Sequence, residues 1–240
     1  MKNGIFETIA VHHGHPVFIH SHLDRLEYAI EENGLAVPFD RDDLFCEIIS
    51  RAKGKDNIAL KVVLEESGVK FFERENPYRN SNYHRGLDIC LSSVIIDETE
   101  PRRYYKSTER SLFDAEKQNA ADLGFGEVIF ANTKRHITEG AVSNIFCVKK
   151  GEIFTPSVSS GLLDGILRRF LIAIHGGEIK ETILTKEDLL EAEELFLTNS
   201  LMGIMPVRSL DGKRYLTGGT GSKLSEYYQT LLKTLNPIHQ

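Results

Sequence analysis

The chain has 240 residues, of which 41% are hydrophobic and 27% are charged, so it can bury about 70–75% of its unfolded surface without a disulfide or a structural metal. The formal net charge of −6 argues against nucleic acid or an anionic membrane surface as a partner. We expect neither a signal peptide nor a membrane-spanning segment, and the three cysteines lack ligand-like spacing, which favours a reduced cytoplasmic protein.

Short strands and amphipathic helices alternate in the first part of the chain. Apolar residues recur at every second position over 5–11, which predicts a half-buried strand, and at helical spacing after Ser21, where Asp24 completes a pattern like a capping box. The predicted elements are strands over 5–11, 17–19, 58–64, 69–72 and 87–96, helices over 21–33 and 40–53, and a surface loop over 73–85. Together they predict a small α+β layer that ends near Glu98.

A linker over 101–105 leads into the second part of the chain. Apolar runs on both sides of Lys149-Lys150-Gly151 predict a two-stranded hairpin with a short glycine turn, and a helix follows from Gly165. The predicted elements are helices over 111–123, 166–174 and 185–190, strands over 127–131, 144–148, 152–155, 178–183 and 194–200, and a final helix after a glycine-rich loop over 218–223.

Three places in the sequence could bind an anion. A helix that begins at Gly165 presents free backbone N–H groups and the positive end of its dipole, which suits a phosphate monoester. Thr198, Asn199 and Ser200 supply neutral donors at a strand end, although a polar turn explains them equally well. Arg25, in the first turn of its predicted helix, either pairs with neighbouring acidic residues at the surface or has an anionic ligand nearby.

Other polar features have ordinary explanations when each is taken alone. Lys106 is typical of a solvated lysine ahead of a helix, and Glu139 of a surface carboxylate at a strand end. The crowded histidines over 12–22 fit no metal-ligand spacing, so we expect no metal site. The stretch over 218–223 fails the pattern of a nucleotide-binding loop and is interpreted as a loop that caps the final helix.

Taken in order, these residues follow one pattern. The matching segments are His22-Leu23-Asp24-Arg25-Leu26, Lys106-Ser107, Glu139, Asn144 with Phe146, Thr155-Pro156, Gly161, Gly165-Ile166 before Arg168-Arg169, and Thr198-Asn199-Ser200 before Gly203 to Arg208. In these segments the chain resembles the class IV, or fold-type IV, pyridoxal-phosphate enzymes, which include branched-chain and D-amino-acid aminotransferases and aminodeoxychorismate lyase. The resemblance covers nearly the whole chain.

The resemblance implies a role for each residue. Lys106 would bind pyridoxal 5′-phosphate covalently and act as the proton-transfer base. Glu139 would pair with the pyridinium nitrogen and keep it protonated. The other cofactor contacts that the resemblance implies are Arg25, Asn144, Gly165, Ile166, Leu167, Thr198, Asn199 and Ser200. Two positions depart from the family pattern, because Glu109 stands where relatives commonly have Asn and Leu167 where they often have Thr.

The resemblance also implies an architecture. It predicts an α/β fold of fold-type IV, similar to D-amino-acid aminotransferase, with a small α+β domain over residues 1–100 and a larger barrel-like α/β domain over 106–240. The cofactor would lie in the cleft between the domains, a common place for ligands. A homodimer is expected because a loop of the neighbouring subunit completes the sites of this family. The other partner would be a small-molecule substrate.

The first functional hypothesis is aminodeoxychorismate lyase, which converts 4-amino-4-deoxychorismate to 4-aminobenzoate and pyruvate for folate biosynthesis. The short chain favours it, as does Arg110, which follows Lys106 as in lyase-like members and is a candidate substrate contact. The run from Asn199 to Arg208 also favours it.

The alternative is a class IV aminotransferase that acts on branched-chain or D-amino acids with 2-oxoglutarate. Against it, the strand over 60–64 continues into Glu65-Glu66-Ser67-Gly68 and not into an arginine-bearing turn. Many lyases also have a Gly-Arg-rich turn there, so both hypotheses stay open. A third hypothesis, an inactive family member that serves as a binding protein, is disfavoured by the presence of Lys106 and Glu139.

Overall fold

The computed structural model describes residues 4–34 and 40–234, and the chain forms two compact units. Unit 1 contains the chain up to Tyr78, the segment Tyr105–Glu109 and the chain from Gln229 onward, whereas unit 2 contains Arg79–Tyr104 and Arg110–Tyr228. Residues 79–104 belong to unit 2 because the strand within this segment pairs with strands of unit 2 on both of its edges. The expected domains of 1–100 and 106–240 stay a prediction.

Unit 1 is an antiparallel sheet covered on one face by two helices. Its elements are strands β1 Ile5–His12, β2 His15–Pro16, β3 Ile58–Glu65 and β4 Gly68–Glu75, with helices α1 Ile19–Asn33 and α2 Arg41–Ala52. The strand order is β2-β1-β3-β4. Ile5, Ile9 and Val11 alternate along β1 and pack against Leu23 and Leu26 of α1 in one buried core. The apolar residues at every second position of β1 thus pack against the apolar residues at helical spacing in α1.

The beginning of α1 differs from the expectation. Residues 17–19 do not form a return strand, because Phe18 adopts a left-handed backbone conformation (φ 53°) that ends the extended chain. The helix therefore begins at Ile19 and lacks the expected side-chain cap at Ser21. As a result Arg25 lies in the second turn of α1 and not in the first. The expected surface loop over 73–85 is also only partly correct, because β4 continues to Glu75.

Unit 2 contains one mixed sheet with helices around it. Its strands are β5 Leu87–Ile96, β6 Glu127–Asn132, β7 Ile137–Gly140, β8 Asn144–Lys149, β9 Glu152–Pro156, β10 Ile179–Thr182, β11 Glu194–Asn199, β12 Gly203–Leu210 and β13 Lys213–Arg214. The helices are α3 Asn80–Arg85, α4 Ser111–Asp122, α5 Ile166–Ile174, α6 Lys186–Glu191 and α7 Thr220–Thr234. Strand β12 was missing from the sequence-based elements, as was α3.

The sheet of unit 2 curls into a half-barrel. Its strand order is β10-β9-β8-β11-β12-β5-β6-β7, with β13 paired to β12. Edge strand β7 also contacts β8 and β9, so the sheet bends back on itself. Stacked rings of Phe146 and Phe196, whose centroids are 4.9 Å apart, fill the core between β8 and its neighbour β11. The expected mixed α/β fold with a barrel-like part is confirmed.

None of the helices among residues 4–34 and 40–234 is long and apolar enough to cross a membrane.

Candidate active site

Arg25 is buried in unit 1 and bound to a glutamate that the sequence analysis did not single out. Its guanidinium donates from Nε to Glu7 Oε1 over 2.6 Å and from Nη2 to Glu7 Oε2 over 2.8 Å. Glu7 comes from β1 and is 1% exposed, and Arg25 on α1 is 6% exposed. Burial alone would raise the pKa of Glu7, but the charge of Arg25 and the hydrogen bonds from Arg25 and His22 outweigh it and hold the pKa well below its usual value. Neither of the two explanations weighed for Arg25, a surface ion pair or an anionic ligand, had included this buried partner.

His22 completes this buried group. Its Nδ1 lies 2.7 Å from Glu7 Oε2, the oxygen that also accepts from Arg25. Burial lowers the pKa of His22 below 6.5, Glu7 opposes this, and Arg25 and Lys106 add to the decrease. The imidazole is therefore neutral at pH 7, and it donates its Nδ1–H to the carboxylate. Within the described part of the chain, His22 Nε2 is buried and has no hydrogen-bond partner.

Lys106 lies in the same unit, on the segment that follows β5 and the linker. The backbone N–H of Phe6 donates to the Lys106 carbonyl over 2.9 Å, and Ser107 pairs with Ile5. The Lys106 ammonium lies 4.9 Å from the centroid of the Phe6 ring. Lys106 and Arg25 both lower the pKa of His22. These two predicted residues of unit 1 therefore lie near the same imidazole.

In unit 2, Glu139 and Asn144 hold the same residue from two sides. Glu139 Oε2 accepts the backbone N–H of Leu163 over 3.1 Å, and Asn144 Nδ2 donates to the Leu163 carbonyl over 2.8 Å. Glu139 ends up on β7 with only 9% of its surface exposed, so it is not a surface carboxylate. Arg103, which the sequence analysis passed over, is close enough to interact electrostatically. Burial lowers the pKa of Arg103, and the charge of Glu139 opposes that change.

Helix α5 begins where Leu163 is held. Its first helical hydrogen bond runs from Arg169 N to the Gly165 carbonyl, so the N–H groups of Ile166 and Leu167 have no acceptor within the helix. Gly165 supplies no side chain to cap them, and any side chain there would overlap Asn144 Oδ1. Asn144 therefore approaches the helix start so closely that only glycine fits. The arrangement leaves backbone donors at the positive end of the α5 dipole.

Thr198 faces the same place from the neighbouring strand. It is the register partner of Asn144 between β11 and β8, so the two side chains project from the same face of the sheet. Thr198 is fully buried, and its Oγ1 has no hydrogen-bond partner among residues 4–34 and 40–234. A buried hydroxyl left in this state costs free energy, which a ligand that accepts its proton would recover.

Asn199 shapes the turn that carries Ser200. Its Oδ1 accepts the backbone N–H groups of Leu201 (2.9 Å) and Met202 (2.7 Å), and its Nδ2 donates to the Val142 carbonyl over 3.0 Å. The amide thus orders the turn and ties it to the segment before β8. The Asn199 side chain therefore fixes the shape of the turn. Ser200 of the turn and Thr198 of the strand end are the residues here that have hydroxyl donors.

Arg110 is the residue before α4. Its Nη2 donates to the Ala141 carbonyl over 3.0 Å, and its Nε donates to Asp114 over 3.0 Å. Ala141 follows Glu139 by two residues, so Arg110 is fixed beside the segment that carries the buried glutamate. The Arg110 side chain is 22% exposed.

The donors of unit 2 fit a phosphate monoester. The start of α5 supplies backbone N–H groups, Gly165 supplies the space, and Thr198 supplies a buried hydroxyl without a partner. Leu167, where relatives often have Thr, contributes its amide and no hydroxyl. Within unit 1, Arg25 has a buried guanidinium and Lys106 has an amine. These residue types suit pyridoxal 5′-phosphate, which carries a phosphate and an aldehyde.

Glu7 and His22 are the residues that sequence reasoning missed as part of the site. One signal could have found Glu7: it is the single charged residue in the inward-facing series Ile5, Glu7, Ile9, Val11 of an alternating strand. A carboxylate at a core position needs a buried partner. The helix that follows this strand has His22 and Arg25 three residues apart on one face.

The chain is similar to known proteins over most of its length. A model of the amino-transferase class IV family matches residues 4–210. A Thermotoga maritima protein named "Probable branched-chain-amino-acid aminotransferase" is 28% identical, over 99% of this chain and 87% of its own length. The aminodeoxychorismate lyase of Bacillus subtilis is 24% identical, over 99% of this chain and 87% of its own length.

Among solved structures, the branched-chain amino acid aminotransferase of Thermobaculum terrenum in its pyridoxal-phosphate form superposes with a TM-score of 0.83 at 20% identity. The match covers 97% of this chain and 86% of that one, and it shows a shared fold. With the family match over most of its length, the chain belongs to the class IV aminotransferase family and is a pyridoxal-phosphate-dependent enzyme of the aminotransferase and lyase kind.

Proposed function

We propose that this enzyme is an aminodeoxychorismate lyase that converts 4-amino-4-deoxychorismate to 4-aminobenzoate and pyruvate. The observation that carries the proposal is the fixed cation of Arg110 beside the segment of Glu139. The lyase substrate has two carboxylates, and a guanidinium fixed at this place could bind one of them. The similarity to the B. subtilis lyase over 99% of this chain supports the same conclusion.

In this proposal the residues of the predicted motifs would hold one cofactor. Lys106 would hold it covalently, and Arg25, the amides of Ile166 and Leu167, and the hydroxyls of Thr198 and Ser200 would bind its phosphate. Glu139 pairs with the ring nitrogen. When bound, pyridoxal phosphate supplies an electron-accepting ring that stabilises negative charge on the substrate carbon that carries nitrogen.

Lys106 has the central role in the reaction. Its Nζ would take the proton from the substrate carbon that bears the amino group. The bond between the ring and the enolpyruvyl oxygen would then break, the six-membered ring would become aromatic, and the departing enol would take up a proton to become pyruvate. The atoms balance without water, an oxidant or a 2-oxo acid.

An aminotransferase for branched-chain or D-amino acids is the second candidate, because the T. maritima relative carries that name. The turn between β3 and β4 departs from the pattern of both candidates, because many lyases also have an arginine-bearing turn there. Glu65 accepts from Ser67 Oγ over 3.2 Å and forms an ion pair with Lys70, so the turn presents a carboxylate. This described turn contains no arginine.

Replacing Arg110 tests the proposal. Arg110→Gln should lower kcat/KM for 4-amino-4-deoxychorismate about tenfold or more, since a charge-assisted contact to a carboxylate is lost. Cofactor content should not change. Arg169→Gln is the matched control, because Arg169 is an exposed arginine of α5. A wild-type enzyme that forms no 4-aminobenzoate refutes the lyase proposal, and equal kcat/KM in the two variants removes Arg110 from the site.

We also propose a homodimer. The support is the family pattern, in which a loop of a neighbouring subunit completes the site. Light scattering coupled to gel filtration measures the mass directly. A particle of twice the 27.1 kDa chain mass is expected, and a monomer at the concentration of the activity assay contradicts the proposal.

A further inference from the structure

The carboxylate of Glu7 accepts four hydrogen bonds, and the three that come from side chains all come from α1. Two of these come from the Nε and Nη2 atoms of Arg25 and one from Nδ1 of His22, while the fourth comes from the backbone N–H of Thr8. Glu7, Arg25 and His22 are all buried. Glu7 itself is fixed in the register of β1 with β3, opposite Val62. A rigid strand therefore holds the guanidinium of a rigid helix in one orientation.

Packing does not require a glutamate at this position. The neighbouring inward-facing residues of β1 are Ile5 and Ile9, and an apolar side chain would fill the same space without desolvating a charge. Burial penalises the carboxylate, yet its pKa is lowered, because Arg25 and His22 more than offset that penalty. Glu7 therefore serves to fix the orientation of the Arg25 side chain.

The hydrogen bonds also determine how Arg25 can meet an anion. Glu7 takes the Nε–H and one N–H of Nη2, which form one edge of the guanidinium fork. A phosphate that meets Arg25 therefore finds the guanidinium in one fixed orientation. Without Glu7 the fork could rotate about its long side chain, and the N–H groups would no longer point in one fixed direction.

We propose that Glu7 is a positioning residue of the cofactor site, which fixes the Arg25 guanidinium for the phosphate of pyridoxal phosphate while His22 steadies the carboxylate. The inference rests on the proposed role of Arg25 as a phosphate contact. Glu7 touches neither substrate nor cofactor in this account and acts only through Arg25.

A simple charge-balancing role for Glu7 makes the opposite prediction. If Glu7 only neutralised Arg25, then Glu7→Gln would leave Arg25 with more net positive charge, and the dianionic phosphate would bind more tightly. If Glu7 positions Arg25, the same variant binds the cofactor more weakly. The sign of the change in cofactor affinity therefore separates the two roles.

The experiment measures the dissociation constant of pyridoxal phosphate and the ³¹P NMR signal of the bound cofactor in the full-length protein. We expect Glu7→Gln to raise the dissociation constant about tenfold or more, the scale of one charge-assisted hydrogen bond. We also expect the ³¹P signal to shift and to become sensitive to pH. Glu194→Gln is the matched control, because Glu194 is also buried and holds the backbone N–H groups of Thr220 and Gly221.

Two further variants make the result decisive. In an Arg25→Ala background, Glu7→Gln should have no additional effect on affinity, since Glu7 acts through Arg25. Should Glu7→Gln fail to fold, Glu7→Asp keeps the charge but is one methylene too short to reach both donors, and it should still weaken binding about tenfold. Unchanged or tighter binding in the folded Glu7 variants overturns the proposal. An Arg25→Ala protein that retains the cofactor normally refutes the role of Arg25 instead.

Discussion

The backbone N–H of Leu163 donates to Glu139 Oε2 over 3.1 Å, so the predicted partner of the cofactor ring is anchored to the residue three positions before the first residue of α5. The Leu163 carbonyl in turn accepts from Asn144. The ring end and the phosphate end of the proposed site are therefore built around one peptide segment. A substitution at one end should shift the residues at the other end.

The contact between Gly165 and Asn144 can be tested by compensation. Gly165→Ala places a Cβ on Asn144 Oδ1, although the backbone at Gly165 (φ −66°, ψ 142°) suits alanine, so the cost is steric. We expect a loss of about 1–3 kcal/mol in the free energy of unfolding, as for other overpacked sites. In an Asn144→Ala background the same change should cost less than about 0.5 kcal/mol.

Urea unfolding of the four proteins measures this coupling. Gly218→Ala is the control, because nothing lies within 4 Å of an added Cβ there, and it should change stability by no more than about 0.5 kcal/mol. An equal cost of Gly165→Ala in both backgrounds would show that Asn144 is not the obstacle.

The Thr198 hydroxyl has no hydrogen-bond partner in the described part of the chain, so we expect its removal to weaken cofactor binding without lowering the stability of the apoprotein. Thr198→Val removes a buried polar atom without a partner, so the apoprotein should be as stable as the wild type or more stable. Pyridoxal phosphate should bind about tenfold more weakly, because a phosphate oxygen loses a donor. Apoprotein melting and a cofactor titration measure the two effects.

Thr155→Val is the matched control for this variant. Thr155 is equally buried, but its hydroxyl donates to the Ile145 carbonyl over 2.9 Å. This control should lose about 1–2 kcal/mol of stability and keep its cofactor affinity. Similar behaviour of the two valine variants would mean that Thr198 has no ligand.

His22 predicts a pH window for stability. Its pKa is lowered from 6.5 in the folded protein, chiefly by burial, so the unfolded chain binds the proton first as the pH falls. Stability contributed by neutral His22 is complete above pH 6.5 and is lost as the pH falls through the lower folded pKa. His22→Asn keeps a donor for Glu7 but does not titrate, so its stability should change less with pH in this window. Parallel pH profiles of the two unfolding free energies would contradict this explanation.

Sequence patterns predicted the local elements well and the side-chain partners poorly. The strand over 87–96 has the predicted bounds, because its apolar pattern is local. The return strand over 17–19 is absent, because a left-handed Phe18 is not visible in any periodicity. Glu7 binds a partner 18 residues away, a relationship that no local pattern contains. Family motifs supplied Arg25 and Lys106, but they did not reveal the carboxylate that holds Arg25.

The central claim is that the enzyme releases an aromatic amine and pyruvate. The most direct test incubates the holoenzyme with 4-amino-4-deoxychorismate without any 2-oxo acid and, separately, with leucine or D-alanine plus 2-oxoglutarate. The account predicts many turnovers of 4-aminobenzoate with equal pyruvate, at most a single turnover of keto acid from the amino acids, and no product from Lys106→Ala. Sustained keto acid formation that depends on 2-oxoglutarate, with no 4-aminobenzoate, would contradict the claim and identify an aminotransferase.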